Sequence, residues 1–243
     1  MRLDSLITEK KLVKSRSVAM DLIKKGQVMV NGEIITKPAK EYSHEKIAEI
    51  KIEILELPRY VGRGGLKLEK ALREFEINPA NLIALDVGSS TGGFTDCLLQ
   101  HGAKKVFAVD VGSDQFDSTL KNDPRIVLME KTDIRDIVSL PEKPDLAVID
   151  VSFISLELVL DKTASLIKPQ GKIISLVKPQ FETKKDAKNK RGVVRGDEIR
   201  EKVLQNIKDF CQKINLDVIK VIDSPILGGS GNKEFLMLLQ EKI

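Results

Sequence analysis

A short apolar run that breaks into a glycine-rich turn constrains the fold of this chain more than any other feature. Residues 84–94 read Ala-Leu-Asp-Val-Gly-Ser-Ser-Thr-Gly-Gly-Phe, and a second run, Val106-Phe107-Ala108-Val109, ends in Asp110. Strand, tight turn, helix and then an acid closing the next strand is how parallel α/β folds build nucleotide pockets, at the carboxyl ends of their strands. Dinucleotide folds space their glycines as Gly-x-Gly-x-x-Gly so that a helix N-terminus faces a pyrophosphate. Here Asp86-x-Gly88 is followed by Gly92-Gly93, a looser turn behind a carboxylate. Taken alone, such a turn serves equally well to end a strand.

As a pocket, the turn suits a ligand with no phosphate at that point. The amino-acid end of S-adenosylmethionine fits, with Asp86 meeting its ammonium and Asp110 its ribose hydroxyls. The expected cofactor contacts are Asp86, Gly88, Ser89, Ser90, Gly92, Gly93, Phe94, Asp110 and Val111. Asp133 and Ile134, just past the third strand, join them, although Asp133 equally well caps a turn.

From Leu82 onward strands and helices alternate, which predicts a parallel sheet covered on both faces. Strands are expected over 82–87, 105–111, 126–130, 145–150, 172–178, 217–223 and 234–240, and helices near 93–101, 114–121, 155–167 and 197–213. Only Ser224 to Asn232 separates the last two strands, too little for a helix, so they should pair antiparallel at one edge. A seven-stranded sheet ending in such a hairpin resembles the methyltransferase variant of the doubly wound, Rossmann-like α/β fold.

The first 58 residues follow a different plan. Leu3, Leu6 and Ile7 begin a helical stripe, Ser15 offers an N-cap for a helix from Arg16 to Lys25, and Gly26 ends it. Val28 and Val30, the Asn31-Gly32 turn, then Ile34 and Ile35 read as a hairpin. Ile47, Ile50, Ile52 and Ile54 suggest one more strand. Through residue 40, nine Lys and Arg stand against four acids, whereas residues 41–58 carry five acids and two lysines. A basic face concentrated in so short a segment is the footprint of phosphate contact, or else a solvated helix face. Arg59 to Gly65 is glycine-rich and basic and reads as a linker, with a helix from about Leu66.

Some functions are disfavoured. No apolar stretch approaches the roughly 18 residues that span a bilayer, and Met-Arg-Leu-Asp-Ser lacks the apolar core of a signal peptide. Cys97 and Cys211 sit in helical patterns without a CxxC partner and read as reduced core residues, neither disulfide nor metal site. His44 and His101 lie outside every candidate pocket motif. A cytoplasmic, monomeric, metal-free protein is expected.

Two resemblances sharpen this reading. Arg2-Leu3-Asp4, Lys14-Ser15-Arg16, Ile23-Lys24-Lys25-Gly26 and Val28-x-Val30-Asn31-Gly32 resemble the alpha-L RNA-binding motif, a small α+β module. Strand four ends Val148-Ile149-Asp150-Val151-Ser152 and strand five ends Val177-Lys178-Pro179-Gln180-Phe181, so a charge caps each buried apolar strand. Together with Lys67 and Glu234, they are similar to the Lys-Asp-Lys-Glu tetrad of FtsJ-like ribose 2′-O-methyltransferases. Gly62-Arg63-Gly64-Gly65, Asp86 to Phe94, Asp150 to Ser155, Lys178 to Glu182 and Gly231 to Glu234 extend the likeness. Through them essentially the whole chain resembles the TlyA family of rRNA cytidine 2′-O-methyltransferases, often labelled haemolysins.

The resemblance implies an RNA-binding domain over 1–58, a linker over 59–65 and a methyltransferase domain over 66–243. It implies catalytic roles for Lys67, Asp150, Lys178 and Glu234, S-adenosylmethionine as cofactor, and ribosomal RNA or ribosomal subunits as partner. The alternative is a non-catalytic RNA-binding ribosome-assembly factor with a vestigial cofactor pocket, ahead of a haemolysin. The expected RNA contacts are Arg2, Lys11, Lys14, Arg16, Lys24, Lys25, Arg59 and Arg63, with Lys184, Lys185, Lys188 and Arg191 from a basic loop that also carries Lys190 and Arg195. That loop reads as RNA-gripping or simply solvated.

The residue types suit the chemistry. A ribose hydroxyl is a poor nucleophile, while a sulfonium methyl is already activated by its cofactor. What remains for the protein is to align a displacement and handle one proton. Burial, Lys67 and a nearby sulfonium favour a neutral Lys178 that takes the proton. Asp150 and Glu234 favour an ammonium that steadies the oxygen.

Overall fold

A computed structural model describes residues 1–47, 49–184 and 187–242, without the side chains of His44 and Lys46. They fall into two compact units, Met1–Arg59 and Tyr60–Ile243.

In the first unit, α1 (Leu3–Glu9) and α2 (Arg16–Lys24) bury the stripes that their periodicity marks out, Leu3, Leu6 and Ile7 against Ala19, Leu22 and Ile23. Ser15 caps α2 by accepting from the Val18 N–H at 3.3 Å. Strands β1 (Val28–Val30) and β2 (Glu33–Ile34) meet through Asn31 (φ 50°) and Gly32 (φ 85°), the two left-handed residues that a type I′ hairpin turn requires. The strand expected from Ile47 is shorter than its apolar pattern. His44–Ile47 form a single helical turn, α3, and only Ile52–Ile54 pair, as β3, on the other edge of β1. Val30 pairs with Ile52, and the last backbone bond on that side runs from the Asn31 N–H to the Lys51 carbonyl at 2.9 Å, where β1 gives way to its turn.

In the second unit, α4 (Gly64–Glu74) precedes the alternating segment. The expected linker is therefore divided: Arg59 closes the first unit, while Tyr60, 4% exposed, packs with Leu68 and Leu72 of α4. Gly65 permits that packing, since a Cβ there would lie 2.3 Å from the Tyr60 ring. Then follow β4 (Ile83–Val87), α5 (Gly93–Gln100), β5 (Lys105–Val109), β6 (Ile126–Met129), a 3₁₀ turn (Ile134–Asp136) and β7 (Leu146–Ile149). The chain continues through α6 (Glu157–Leu166), β8 (Lys172–Val177), α7 (Pro179–Glu182), α8 (Asp197–Lys213), β9 (Leu216–Asp223) and β10 (Phe235–Glu241).

Among the described residues seven strands form one sheet in the order β6-β5-β4-β7-β8-β10-β9. Strands β4 to β8 pair parallel, and β10 runs antiparallel to both β8 and β9. Because side chains alternate along a strand, each strand feeds two cores. Leu85, Ala147 and Ile173 pack with α6 and α8; Ala84, Val148 and Ile174 pack with α4 and α5. Each large aliphatic so enclosed contributes about 1.5–3 kcal/mol. This is the doubly wound α/β fold that the alternation predicts.

The helix expected over 114–121 is absent. Asp114 sits at φ 60°, and the Asp117 carboxylate accepts from both the N–H and the hydroxyl of Thr119, at 2.9 and 2.6 Å. Side-chain bonds of this kind offer the backbone an alternative to helix, and Phe116 plugs the resulting turn at 4% exposure.

Candidate active site

The order of the strands reverses between β4 and β7, and open α/β sheets bind ligands at that point, beyond the carboxyl ends. Parity then decides which side chains meet. Even-numbered positions of β4, β7, β8 and β10 (Ala84, Val148, Leu176, Leu236) face the layer of α4 and α5. Two residues further along β7 and β8 come Asp150 and Lys178; two residues before Leu236 comes Glu234. Period 2 sends all three to the same face, and α4 inserts Lys67 there.

The result is two ion pairs. Lys67 Nζ donates to Glu234 Oε2 at 2.6 Å, with side-chain exposures of 10% and 2%. Lys178 Nζ lies 2.6 Å from Asp150 Oδ1. Buried charge is tolerated only when compensated, and here two cations meet two anions. Lys67 and Asp150 also line one cavity of about 190 Å³, together with Arg63, Gly64, Ser89, Gly93 and Phe94. The four charged groups thus run as a chain, Glu234 to Lys67, across the cavity to Asp150, and on to Lys178.

A larger cavity of about 470 Å³ adjoins it, sharing Gly88, Ser90 and Asp150. Asp110, Val111, Asp133 and Ile134 line this one. Gly88 holds φ at 83°, and a Cβ there would lie 2.8 Å from the Asp150 carbonyl oxygen, so glycine lets the turn pass close to the end of β7. Asp110 accepts from the N–H of Ser90 and of Gly112, each at 2.7 Å, which aims its carboxylate and leaves lone pairs for a diol. Asp133 caps the 3₁₀ turn by accepting from the Arg135 N–H. The Arg135 guanidinium, 2.6 Å away, holds the Asp133 carboxyl below the usual range. Turn-capping is thus what Asp133 does in this structure.

The model of the FtsJ-like methyltransferases matches residues 60–241, and that of the S4 domain matches residues 1–46. The chain belongs to the FtsJ-like methyltransferase family. It is 41% identical to hemolysin A of Brachyspira hyodysenteriae, over 97% of this chain and 98% of that one. It is 36% identical to the 16S/23S rRNA (cytidine-2′-O)-methyltransferase TlyA of Mycobacterium tuberculosis, over 98% of this chain and 89% of that one. A solved structure of a hemolysin-named protein from Streptococcus thermophilus is 40% identical and superposes with a TM-score of 0.78, covering 100% of this chain and 88% of that one.

Within this FtsJ-like domain two expected cofactor contacts lie behind the cavity walls. Gly92 packs against Phe116 and Leu120. Asp86, expected to meet an ammonium directly, is fully buried. Its even position turns it beneath α5, where Oδ2 accepts from the Thr95 hydroxyl at 2.6 Å. Burial pushes its carboxyl up to about 7; the charges of Asp150 and Asp110 add to the rise, and Thr95 opposes it.

Several site residues stand in the sequence only as members of longer motif strings. Ser152 Oγ accepts from Lys178 Nζ at 2.7 Å, and Gln180 Nε2 donates to Glu234 Oε1 at 3.1 Å. Glu182 accepts from the Ser155 hydroxyl at 2.6 Å and the Leu156 N–H at 2.8 Å, stitching the turn after β7 to the one after β8. Burial raises the Glu182 carboxyl, and these two bonds oppose the rise. Between the stitched turns Phe153 sits at φ 68°, a strain of order 1–3 kcal/mol for a bulky residue, with its ring 5.1 Å from that of Phe181. A polar residue two places beyond each charged strand end was the available signal for Ser152 and Gln180.

The expected RNA contacts divide by surroundings. In the first unit Lys11, Lys14, Lys24 and Lys25 are exposed. Arg2 and Arg16 reach inward to the buried Asp4, at 2.8 and 3.1 Å, while their side chains remain 42% and 52% exposed. Arg59 is exposed at the end of that unit. In the second, Arg63, Lys184, Lys190, Arg191 and Arg195 are exposed and Lys188 is half-buried; Lys185 lies outside the described residues.

Proposed function

We propose that this protein is an S-adenosylmethionine-dependent methyltransferase that modifies the ribose 2′-oxygen of a cytidine in ribosomal RNA. The observation that carries the reading is the pairing of Lys67 with Glu234 and Lys178 with Asp150 beside the joined cavities. Two relatives matched over nearly the full chain carry that activity in their names.

The larger cavity suits the cofactor. Its volume lies in the range of small-molecule sites, Gly88 leaves room for a close backbone approach, and Asp110 presents an aimed carboxylate for ribose hydroxyls. When bound, the cofactor supplies an activated methyl. The other steps belong to the chain. Asp150 holds Lys178 at the junction of the cavities, and Lys178 takes the hydroxyl proton or steadies the oxygen as it attacks. Glu234 compensates Lys67, which carries a positive charge into the smaller cavity without being buried unpaired. Because a stacked nucleotide cannot reach this recess, the target nucleotide is unstacked or flipped outward.

Affinity for RNA comes from backbone contacts by the S4 domain, through its exposed lysines and the Arg2 and Arg16 guanidiniums. The basic residues from Lys184 to Arg195 add grip. The hemolysin-named relatives prompt a second reading, membrane lysis, but no helix among the described residues is long and apolar enough to cross a membrane.

The decisive experiment incubates purified protein, S-adenosylmethionine and ribosomal subunits from cells lacking the chain, then maps ribose methylation by mass spectrometry. A new 2′-O-methylcytidine is expected. Methylation only on bases, or none, removes the proposal; leakage from liposomes at matching protein concentrations supports lysis.

A further inference from the structure

The Lys178 ammonium has a second partner that the tetrad does not include. We propose that Ser152 orients the Lys178 nitrogen, so that a direction left free points at the reacting ribose oxygen. This inference rests on the ribose-methylation reading above.

Nζ has three directions not taken by carbon. One leads to Ser152 Oγ, which accepts at 2.7 Å. Asp150 Oδ1 lies 2.6 Å from Nζ as its ion-pair partner but outside hydrogen-bond alignment. A charge contact of that kind holds the nitrogen in place without setting its rotation, and the bond to Ser152 sets it. A direction left free then carries an N–H when Nζ is charged and a lone pair when it is neutral. In the first case it donates to the oxygen while the hydroxyl proton leaves to water; in the second it receives that proton itself.

Ser152 is placed for this. It is exposed and lines the larger cavity, the one that suits the cofactor, so its hydroxyl borders the methyl donor's space, while Lys178 is buried. The turn that presents it is held from outside the cavity by the Glu182 bonds to Ser155 and Leu156. The Phe181 ring, its centroid 5.9 Å from Nζ, closes another side. Within the tetrad the Ser152 hydroxyl bonds Lys178, which makes it a positioning residue acting through that nitrogen.

The test uses the full-length protein, ribosomal subunits and methyl-labelled S-adenosylmethionine, with Ser152→Ala and Ser152→Thr. Misplacing a reacting group slows chemistry by up to about 100-fold, so single-turnover methylation by Ser152→Ala should fall roughly 10- to 100-fold. Cofactor and subunit affinities, measured on the same preparations, should stay within about twofold. The pH–rate profile should move in Ser152→Ala and return in Ser152→Thr along with most of the rate, because threonine keeps the acceptor on an exposed side chain. A Ser152→Ala rate equal to wild type overturns the proposal. So does a rate that falls in step with cofactor or subunit affinity, or a Ser152→Thr protein as slow as Ser152→Ala. Wild-type protein that methylates no ribose brings down the parent reading and this one together; active wild type with an unaffected Ser152→Ala brings down this one alone.

Discussion

Two fully buried carboxylates, one in each unit, have met opposite fates. Asp4 in the S4 domain receives two arginines and the Ser5 N–H, and chiefly the hydrogen-bonded Arg2 holds its carboxyl down at about 2, with burial opposing. Asp86 in the methyltransferase domain receives one hydroxyl, and burial pushes its carboxyl up to about 7. Enclosure alone therefore does not decide whether an acid is charged; the partners do. The cations differ as well. Those on Asp4 are arginines about half exposed, with donors left for a polyanion, whereas Lys67 and Lys178 have side chains only 10% exposed. One unit displays its charge, and the other seals it around a site for chemistry.

The sealed charge gives the largest expected effect. Lys178→Ala should abolish methyl transfer while leaving cofactor affinity near wild type, measured by calorimetric titration beside a labelled-methyl assay; retained transfer would remove Lys178 from the mechanism.

Next in size is the displayed charge. Asp4→Ala should destabilise the S4 domain by about 2 kcal/mol at pH 7, the scale of hydrogen bonds to charged groups, read as faster amide exchange across residues 1–59. Because the folded carboxyl titrates below its ordinary value, the stabilisation is present above about pH 4 and fades as pH falls towards about 2. A difference between variant and wild type that persists below pH 2 would contradict the comparison.

Asp86→Asn tests the other acid, with the sign reversed. A raised folded value means that the native state is penalised as pH climbs from about 4 through about 7. The neutral variant should melt a few degrees higher than wild type at pH 8, at about 2–4 °C per kcal/mol for a domain of this size. The gap should close near pH 4, and a gap independent of pH would show that Asp86 titrates in the folded state as it does in the unfolded one.

The smallest effect concerns the exposed lysines. Replacing Lys24 and Lys25 with alanine should weaken RNA binding and flatten its logarithmic salt dependence by about one unit for each RNA phosphate that no longer meets a lysine. An unchanged slope would place the RNA elsewhere on the protein.

The elements were legible wherever local pattern governs. Short apolar runs mark β4 to β10, and Ser15 and Asn31-Gly32 announce their cap and turn because those residue types satisfy the backbone within a few positions. The strand suggested from Ile47 gave way to the shortness of its partner β1, a non-local cause. The helix suggested over 114–121 gave way to Asp117, whose side chain bonds Thr119 instead. Within the site, the charged ends of β7 and β8 stood out because an apolar strand closing in Asp or Lys contradicts its own burial. Their neighbours Ser152 and Gln180 did not, because a serine or glutamine after a strand contradicts nothing.

What the chain alone determined is therefore the set of segments and the charged residues that must be compensated somewhere, since hydrophobic alternation and burial cost act over a few residues. Only the folded arrangement decided who compensates whom. Asp150 meets Lys178 because β7 and β8 are neighbours; Lys67 meets Glu234 across 167 positions because α4 lies over the face on which Glu234 emerges. Asp86, one strand from Asp150 and on the same face, is left with Thr95, because cross-strand neighbours are set by strand order and helix placement, and neither is written in any local stretch of sequence.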